Sequence, residues 1–414
     1  MHILYIHQYF ITPAQNGGTR SYEFSKSFLK AGHKVTMITS GVQNPEFPVK
    51  PGETYTEHEH EGIRILSINA GYNDARAGTG MGGYKRMINF HRFANLAAKV
   101  GQSITDADVI YATHTPLTVG LTGIKLAKQL NLPFVFEVRD LWPDALINIG
   151  ALTNPLGIWH LRRMERKIYH AADHVIALSP GMKQGVCNQN VPEDKVSVIP
   201  NSSDLNLFKP TNDGKAHRER LGLGDRMAAI YFGAMGLANG LDYALDAAKQ
   251  LQQRGREDIV IVLHGEGGEK ERLKQRAKEE GLTNVVFSDS VPNKSDVADI
   301  VAGCDVCMTI YRATKEVTWS PNKMFDAMAA GRPVMINVGQ WLGQTVEEND
   351  CGKAVAAEDP SELADALIDL ADNPDKRARQ AANARQTAER LFDRKILAEK
   401  VEQVLSNAIA GHKK

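Results

Sequence analysis

The sequence is poor in cysteine, has no long apolar run and carries no excess of charge of either sign. Its 414 residues include four cysteines, 49 Lys+Arg and 49 Asp+Glu. Four cysteines are too few for a disulfide framework, so a reducing compartment is expected. Zero net charge argues against non-specific nucleic-acid binding, which requires an excess of cations. No apolar stretch approaches the roughly 18 residues that a membrane-spanning helix needs.

The composition that remains, 43% hydrophobic and 24% charged, is typical of a globular protein. The length suits two domains of roughly 200 residues each. The first residues run directly into the strand-like segment Ile3–Ile6, without a basic leader or a cleavage site, so no signal peptide is expected. We therefore expect a cytoplasmic protein.

Short β-branched runs alternate with amphipathic segments in both halves, which predicts α/β domains built on parallel sheets. The turn-rich stretch Asn201–Pro210 interrupts this alternation, and we place the domain boundary there, between residues 1–205 and 206–390. Ligands of such sheets bind at the carboxyl ends of the strands. The strands are predicted at Ile3–His7, Val35–Thr39, Val109–Ala112, Phe134–Val138, His174–Ala177, Val196–Ile199, Ala229–Phe232, Ile259–His264, Val285–Phe287, Val306–Ile310 and Val334–Ile336.

The segment Trp319–Val334 brings together a cation, a helix start and a carboxylate. A loop carrying Pro321 and Lys323 leads into a predicted short helix that ends at Gly331. A helix N-terminus beside a lysine is suited to bind an anion. Asp326, about one turn further on, can hold a ribose diol. The pattern predicts a site for a nucleotide diphosphate, and the alternative is an ordinary amphipathic helix.

A pair of glycines follows the first predicted strand. Gly17 and Gly18 precede a helix predicted at Thr19–Ala31. Adjacent glycines let backbone N–H groups approach a phosphate closely, and the helix N-terminus adds to this. A plain turn is the alternative, because glycine pairs mark many turns.

Charged side chains follow two further strands. Arg139, Asp140 and Asp144 stand close together in the chain beside a rigid Trp-Pro pair. On composition alone, a functional cluster and an ion pair that caps the strand are equally supported. His114 also follows a strand and is a further candidate, although a lone histidine is more often structural.

Three patterns imitate metal sites and are better explained otherwise. Asp106-Ala-Asp108 precedes a buried strand, at the end of the sheet where ligands do not bind, so a turn is expected. His58-Glu-His-Glu61 lacks a third ligand, which favours a solvated surface strand. Cys304 and Cys307 lack a second ligand pair and lead into an apolar run, so we expect small buried core residues.

Several longer segments resemble glycosyltransferase family 4, the retaining nucleotide-sugar transferases. The resemblance extends over nearly the whole chain and implies the GT-B fold, in which two Rossmann-like domains face each other across a cleft. It also implies that residues 391–414 form a helix that crosses back to the first domain. The segments are His7-Gln-Tyr-Phe10, Gly17-Gly-Thr-Arg-Ser-Tyr-Glu23, Arg139-Asp-Leu-Trp-Pro143, Leu178-Ser-Pro-Gly-Met182 and Ile199-Pro-Asn-Ser202.

The resemblance implies roles for individual residues. The cations that the family usually places in the loop after the first strand of the second domain are replaced by Ala234 and Asn239, and its paired glutamates by Thr318 and Asp326. Lys323 is then the main remaining phosphate cation. The residues implied to bind the donor are Gly17, Gly18, Gly236, Val291, Thr318, Pro321, Asn322, Lys323 and Asp326, and those implied to act in catalysis are Lys323, Arg139, Asp140 and His114.

The branch of the family that the chain resembles assembles bacterial surface polysaccharides and includes N-acetyl-fucosaminyl-type enzymes of O-antigen synthesis. It implies a metal-independent, retaining hexosyltransferase without a cofactor, using a UDP-sugar donor and a lipid-linked sugar acceptor at the inner membrane face. Two alternatives remain, a nucleotide-sugar epimerase of the same fold and a non-catalytic nucleotide-sugar-binding subunit.

Residues 84–93 are a candidate for peripheral membrane docking. Met87, Ile88 and Phe93 provide apolar side chains, and Lys85, Arg86 and Arg92 provide basic ones. A helix with both chemistries can lie in a membrane interface. The alternative is a helix that packs on the core and exposes a basic face to water.

Overall fold

The computed structural model describes residues 1–15, 17–41, 44–71, 83–148, 150–314 and 317–412, with the backbone alone for residues 83–85. The chain forms two compact units. Unit 1 comprises Met1–Pro200, Thr318–Ser320 and Lys395–Lys414, and unit 2 comprises Asn201–Val317 and Pro321–Arg394. The units thus divide at Pro200, five residues before the boundary we placed in the sequence.

Unit 1 is built on a sheet of eight strands in the order β3-β4-β2-β1-β5-β6-β7-β8. Only the edge strand β3 is antiparallel to its neighbour within the described residues. The strands are β1 His2–Ile6, β2 Lys34–Ser40, β3 Tyr55–His60, β4 Ile63–Ile68, β5 Val109–Thr113, β6 Phe134–Val138, β7 His174–Ala177 and β8 Val196–Val198. The helices between them are α1 Arg20–Lys30, α2 Gly83–Gly101, α3 Val119–Leu130, α4 Asp144–Asn148, α5 Pro155–Ala171 and α6 Pro180–Cys187.

Unit 2 is built on a parallel sheet of six strands in the order β11-β10-β9-β12-β13-β14. Its strands are β9 Met227–Phe232, β10 Ile259–His264, β11 Val285–Ser288, β12 Val306–Thr309, β13 Val334–Ile336 and β14 Gly352–Ala354. Its helices are α7 Lys215–Arg220, α8 Asp242–Gln253, α9 Lys270–Glu279, α10 Lys294–Ala302, α11 Asn322–Ala329, α12 Gln340–Glu348, α13 Pro360–Asp372 and α14 Pro374–Thr387. A last helix, α15, spans Arg394–His412.

Both faces of the unit 1 sheet are covered, because successive residues of a strand point to opposite faces. Leu4 and Ile6 of β1 lie in a core with residues of α2, α3 and α5, and Ile3 and Tyr5 lie in a second core. That second core contains side chains of α1 and of α15, among them Leu397. The last helix therefore completes the unit formed by the first half of the chain.

The predicted fold class is confirmed, since both units are Rossmann-like α/β sheets with mostly parallel strands. All eleven predicted strands are present with small shifts at their ends. The structure adds β4 and the short edge strand β14, and it shows that His58, Glu59 and His60 belong to β3, whereas Glu61 lies in the turn after it. Cys304 and Cys307 are buried and free, as predicted for core residues.

Candidate functional site

The first residues of α11 place Lys323 at the carboxyl ends of two central strands of unit 2. Pro321 is the N-cap of this helix, and Lys323 is its second residue. Lys323 Nζ donates a hydrogen bond to Tyr231 Oη at 2.7 Å and lies 4.0 Å from the Tyr231 ring centroid. The Tyr231 hydroxyl in turn donates to the Ala234 carbonyl oxygen at 2.6 Å. The first backbone N–H groups of a helix have no partner within it, so they and Lys323 are available to an anion.

Lys323 has no carboxylate partner among the residues that the structure describes. Its side chain is partly buried, and burial lowers the pKa of the Lys323 amine to about 7. A bound anion would reverse this effect, since an opposite charge nearby favours the protonated amine. The site therefore gains a full positive charge when an anion enters it.

Two loops of unit 2 approach each other beside Lys323, and each has a glycine at the point of approach. A Cβ on Gly233 would lie 3.2 Å from Lys323 Nζ. A Cβ on Gly265, which follows β10, would lie 1.9 Å from the Gly233 carbonyl oxygen. Gly233 and Gly265 also have φ of 135° and 141°, a region that side chains disfavour. Glycine is therefore needed at positions 233 and 265 for the two backbones to approach each other.

Asp326 lies one turn into α11 and is buried with its carboxylate already engaged. Ser203 Oγ donates to Asp326 Oδ1 at 2.8 Å, and Lys294 Nζ forms an ion pair with Oδ2 at 3.4 Å. Burial raises the pKa of the Asp326 carboxyl, and Lys294 and Ser203 oppose that shift. Sequence reasoning missed Lys294, because no pattern links it to a carboxylate 32 residues away. The role of Asp326 toward ribose stays a prediction.

The remaining predicted donor residues of unit 2 lie in exposed or half-buried loops. Asn322 is exposed as the first residue of α11. Gly236 precedes a single 3-10 turn, and its N–H donates to Asn239 Oδ1 at 3.3 Å. Val291 is partly buried in the loop after β11, where buried Lys270 bridges two loops by contacting Glu266 and Asp289, each at 2.6 Å.

Thr318 belongs to unit 1 by its contacts. Its carbonyl oxygen accepts a hydrogen bond from Ser179 Oγ at 2.7 Å. Ser179 also caps α6 by accepting a hydrogen bond from the Met182 N–H at 3.0 Å. Thr318 is thus held through its backbone, and nothing in this contact depends on its hydroxyl.

A second polar cluster lies at the carboxyl ends of β1 and β6 in unit 1. His7 Nδ1 is 2.7 Å from Ser21 Oγ, and His7 Nε2 is 3.5 Å from Arg139 Nη1. A Cβ on Gly18 would lie 3.1 Å from Arg139 Nη2, so the glycine pair and the arginine approach closely. Gly17 has φ of 146°, and a Cβ there would meet Ile11 at 2.6 Å. The sequence predicted Arg139 and both glycines here but did not single out His7.

His114 lies behind this cluster rather than in it. Its side chain is 1% exposed, and its ring packs edge-on against Trp142 with centroids 5.3 Å apart. Neither ring nitrogen has a hydrogen-bond partner in the described structure. Burial and the charge of Arg139 lower the pKa of His114 to about 3, so the ring is neutral. The catalytic role of His114 stays a prediction.

A buried ion pair holds the elements that carry the unit 1 cluster. Glu137 accepts hydrogen bonds from Arg20 at 2.9 and 3.0 Å, Tyr111 at 2.6 Å and Thr113 at 2.6 Å. Burial alone would raise the pKa of Glu137, but the charge and hydrogen bonds of Arg20 lower it. Arg20 is the first residue of α1 and also donates to the Ile199 carbonyl oxygen at 2.9 Å. The network joins the start of α1 to β5, β6 and the end of β8.

The predicted cluster of Arg139, Asp140 and Asp144 does not form as one group. Asp144 forms a salt bridge with Arg162 at 2.7 Å instead, because α4 begins at Asp144 and directs it toward α5. Asp140 is exposed, and Arg139 turns toward His7. Closeness in sequence therefore misled the prediction for Asp144.

Part of the docking prediction for residues 84–93 is wrong. Phe93 is fully buried, and Met87 packs against the core, so neither is free to enter lipid. Ile88, 49% exposed, and Arg86 and Arg92 face solvent. The side chains of Tyr84 and Lys85 lie outside the described residues. The core-packing alternative holds for Phe90 and Phe93, which lie three residues apart and therefore on one side of α2, both buried.

The patterns that imitate metal sites have other contacts. Asp106 pairs with Lys34 at 2.5 Å and with His2 at 3.2 Å, and Asp108 accepts from the His2 N–H at 2.7 Å. His58 Nε2 lies 2.9 Å from the Pro48 carbonyl oxygen.

Known structures with the same fold are glycosyltransferases of the GT-B class. Sucrose-phosphate synthase from Thermosynechococcus elongatus matches with a TM-score of 0.76 and 20% identity, over 99% of each chain. HepE of Anabaena, solved in complex with UDP, matches with a TM-score of 0.71 and 19% identity, over 98% of this chain and 100% of the other. At this level of identity the likeness establishes the fold.

The family follows from sequence comparisons. The model "Glycosyltransferase Family 4" matches residues 17–207, and "Glycosyl transferases group 1" matches residues 226–373. A relative in Escherichia coli K12, the putative colanic acid biosynthesis glycosyl transferase WcaI, is 26% identical over 335 residues, which are 76% of this chain and 78% of the relative. Together the two models match most of the chain, and they support a glycosyltransferase of family 4.

Proposed function

We propose that the protein is a retaining hexosyltransferase that moves a sugar from a UDP-sugar to a lipid-linked saccharide in the assembly of a surface polysaccharide. The observation that carries the donor side is the position of Lys323. Its amine stands at a helix N-terminus, beside Gly233, and has no carboxylate partner in the described structure. This arrangement suits a diphosphate, which brings the missing negative charge.

Relatives support the finer points of the proposal. HepE has been solved with UDP and with UDP-glucose, which favours a uridine donor. WcaI is named for colanic acid biosynthesis, which favours a surface-polysaccharide acceptor. The O-antigen role and an N-acetyl-fucosaminyl-type sugar rest on the resemblance of the sequence motifs. Among the described residues, no helix combines the length and the hydropathy that a membrane span needs.

The proposed mechanism needs no enzymic base. The acceptor oxygen attacks the anomeric carbon on the face from which the diphosphate leaves, and a departing phosphate oxygen takes the acceptor proton. Lys323 and the N–H groups of α11 stabilise the charge on the departing diphosphate, which is the kind of interaction that lowers a barrier most. We propose no role for a metal or cofactor. Arg139, with the glycine pair beside it in unit 1, is proposed to contact a phosphate or the acceptor.

The first experiment is a thermal-shift screen of the full chain against UDP-, GDP-, ADP- and dTDP-sugars. A ligand that binds only the folded protein raises the melting temperature, by an amount that grows with its concentration over Kd. We expect UDP-sugars to raise the melting temperature. In a subsequent transfer assay with a lipid-linked acceptor, we expect NMR of the product to show that the anomeric configuration of the donor sugar is retained. Release of a 2-epimer without acceptor would identify an epimerase, and binding without turnover would identify the non-catalytic subunit.

Donor affinity is expected to fall as pH rises above neutral. Lys323 has a pKa of about 7 in the free protein, so above that pH the diphosphate must first recruit a proton to the amine. Donor affinity should be nearly constant below pH 7 and decrease by up to about tenfold per pH unit above it. The decrease should stop above the pKa that the Lys323 amine has in the complex, which the bound diphosphate raises. The measurement is isothermal titration calorimetry with the UDP-sugar from the screen, whose diphosphate does not titrate in this range.

The control for this pH dependence is Lys323→Gln. The variant has no titrating amine, so its weaker binding should not change with pH. A wild-type affinity that is equally independent of pH would contradict the assigned role of Lys323.

A further inference from the structure

Three helices of unit 1 carry almost no acidic residues. Helices α2, α3 and α5 contain ten Lys and Arg against one Glu, although the whole chain has 49 of each sign. The one acid, Glu165, is 1% exposed. The cations whose side chains are described are all exposed: Arg86, Arg92, Lys99, Lys125, Lys128, Arg162, Arg163, Arg166 and Lys167. The imbalance is thus confined to a surface and not spread over the chain.

The outer sides of the three helices adjoin. Lys125 of α3 donates a hydrogen bond to Asn95 of α2. His91 of α2 has a lowered pKa, through burial first and then through His160 on α5 and Lys125 on α3, which places both residues near it. The acid that reaches this region, Asp144, pairs with Arg162. Arg163, Arg166 and Lys167 form no salt bridge within the described residues.

The same surface exposes large apolar side chains. Leu156 is 78% exposed and Trp159 62% exposed, and they lie one turn apart at the start of α5. Asn154 fixes this helix start by accepting hydrogen bonds from the N–H groups of Leu156 and Gly157. Helical spacing places Arg163 and Lys167 on the same side as Leu156. A tryptophan beside a cationic helix face is the combination found in proteins that bind at membrane interfaces.

We propose that α2, α3 and α5 form a docking surface for a membrane containing anionic phospholipid, with Leu156 and Trp159 entering the headgroup region. The exposed apolar side chains of Leu156 and Trp159 favour an anionic bilayer over a nucleic acid. Phosphates of a nucleic acid would use the cations but give Leu156 no apolar environment, whereas a bilayer accommodates both. This surface extends the one predicted from residues 84–93, of which Phe90 and Phe93 are buried.

Docking there would bring the unit 1 cluster to the membrane. The Phe90 ring of α2 lies 6.3 Å from the Trp142 ring, and Trp142 packs on His114. Trp142 belongs to the loop that carries Arg139. This step alone rests on the proposed function, because only a lipid-linked acceptor requires the cluster to be near a bilayer.

The test is flotation of the full chain with phosphatidylcholine vesicles, with and without phosphatidylglycerol. We expect binding to the anionic vesicles only, and weakening by salt. The variant Arg163→Glu/Arg166→Glu/Lys167→Glu should bind on the order of 100-fold more weakly, at about fivefold for each cation lost. The matched control Lys215→Glu/Lys278→Glu/Lys353→Glu makes the same charge change at exposed lysines of unit 2 and should bind as the wild type does.

Fluorescence tests the apolar part. Quenching by brominated lipid should occur in the wild type and fall sharply in Trp159→Phe, since Trp159 is 62% exposed whereas Trp142, Trp319 and Trp341 are only partly exposed. Equal binding to neutral vesicles, unchanged binding of the triple variant, or no binding to anionic vesicles would overturn the proposal. RNA binding that the triple variant loses, without vesicle binding, would assign the surface to nucleic acid instead. Vesicle binding is measured without a nucleotide-sugar. A negative vesicle result would therefore contradict the docking surface, whereas a negative nucleotide screen would contradict the proposed function.

Discussion

Replacing Lys323 with alanine is expected to lower kcat/KM for the sugar donor by about 100- to 1000-fold. Loss of one preorganised donor to developing negative charge has an effect of this size in other enzymes. Lys323 is the described cation at the start of α11, and its contacts are to tyrosines rather than to carboxylates. The measurement is steady-state transfer with the donor from the screen, together with donor affinity by calorimetry.

The control for this prediction is Lys278→Ala, which removes an exposed lysine of α9 and should leave the rate unchanged. The fold of both variants is checked by circular dichroism. A Lys323→Ala enzyme that retains activity within about threefold, well below the loss expected for such a donor, would show that the diphosphate is held elsewhere.

The variant Arg20→Met is expected to destabilise the protein by about 3–5 kcal/mol. It leaves Glu137 fully buried with two hydroxyl partners and no cation, and an uncompensated buried charge has a cost of this size. Chemical denaturation with urea, followed by circular dichroism, measures the loss. A decrease of less than about 1 kcal/mol, the typical scale of a surface ion pair, would contradict the prediction.

The second variant separates the charge from the packing. Arg20→Met/Glu137→Met removes both charges, and replacing both partners of a buried pair by apolar side chains is often close to neutral. We therefore expect the double variant to be more stable than Arg20→Met alone. If it is less stable, the hydrogen bonds from Tyr111 and Thr113 contribute more than the ion pair does.

Elements that give a local sequence pattern could be predicted from the sequence. Parallel strands buried on both faces appear as continuous apolar runs, and all of those predicted were found. Arg64 and Ser67 interrupt β4, and β14 has three residues, so neither gives such a run. Local pattern also identified Lys323, because a lysine at a helix start is visible without the fold.

Contacts between distant residues could not be predicted. Tyr231 lies 92 residues from Lys323, and Arg20 lies 117 residues from Glu137, so only the sheet order brings them together. Periodicity also does not show what an apolar face packs against. Phe93 and Trp159 both lie on amphipathic helices, yet one is in the core and the other is exposed.

The docking helices change how the charge of this protein should be understood. Since the whole chain has as many cations as acids, the residues outside α2, α3 and α5 hold nine more acids than cations. A molecule of zero net charge can therefore have a large electric dipole moment. Near a negatively charged interface such a molecule experiences a torque before it makes contact, and it arrives with one side already turned toward the surface. Orientation, rather than attraction of the molecule as a whole, is then what its charge contributes.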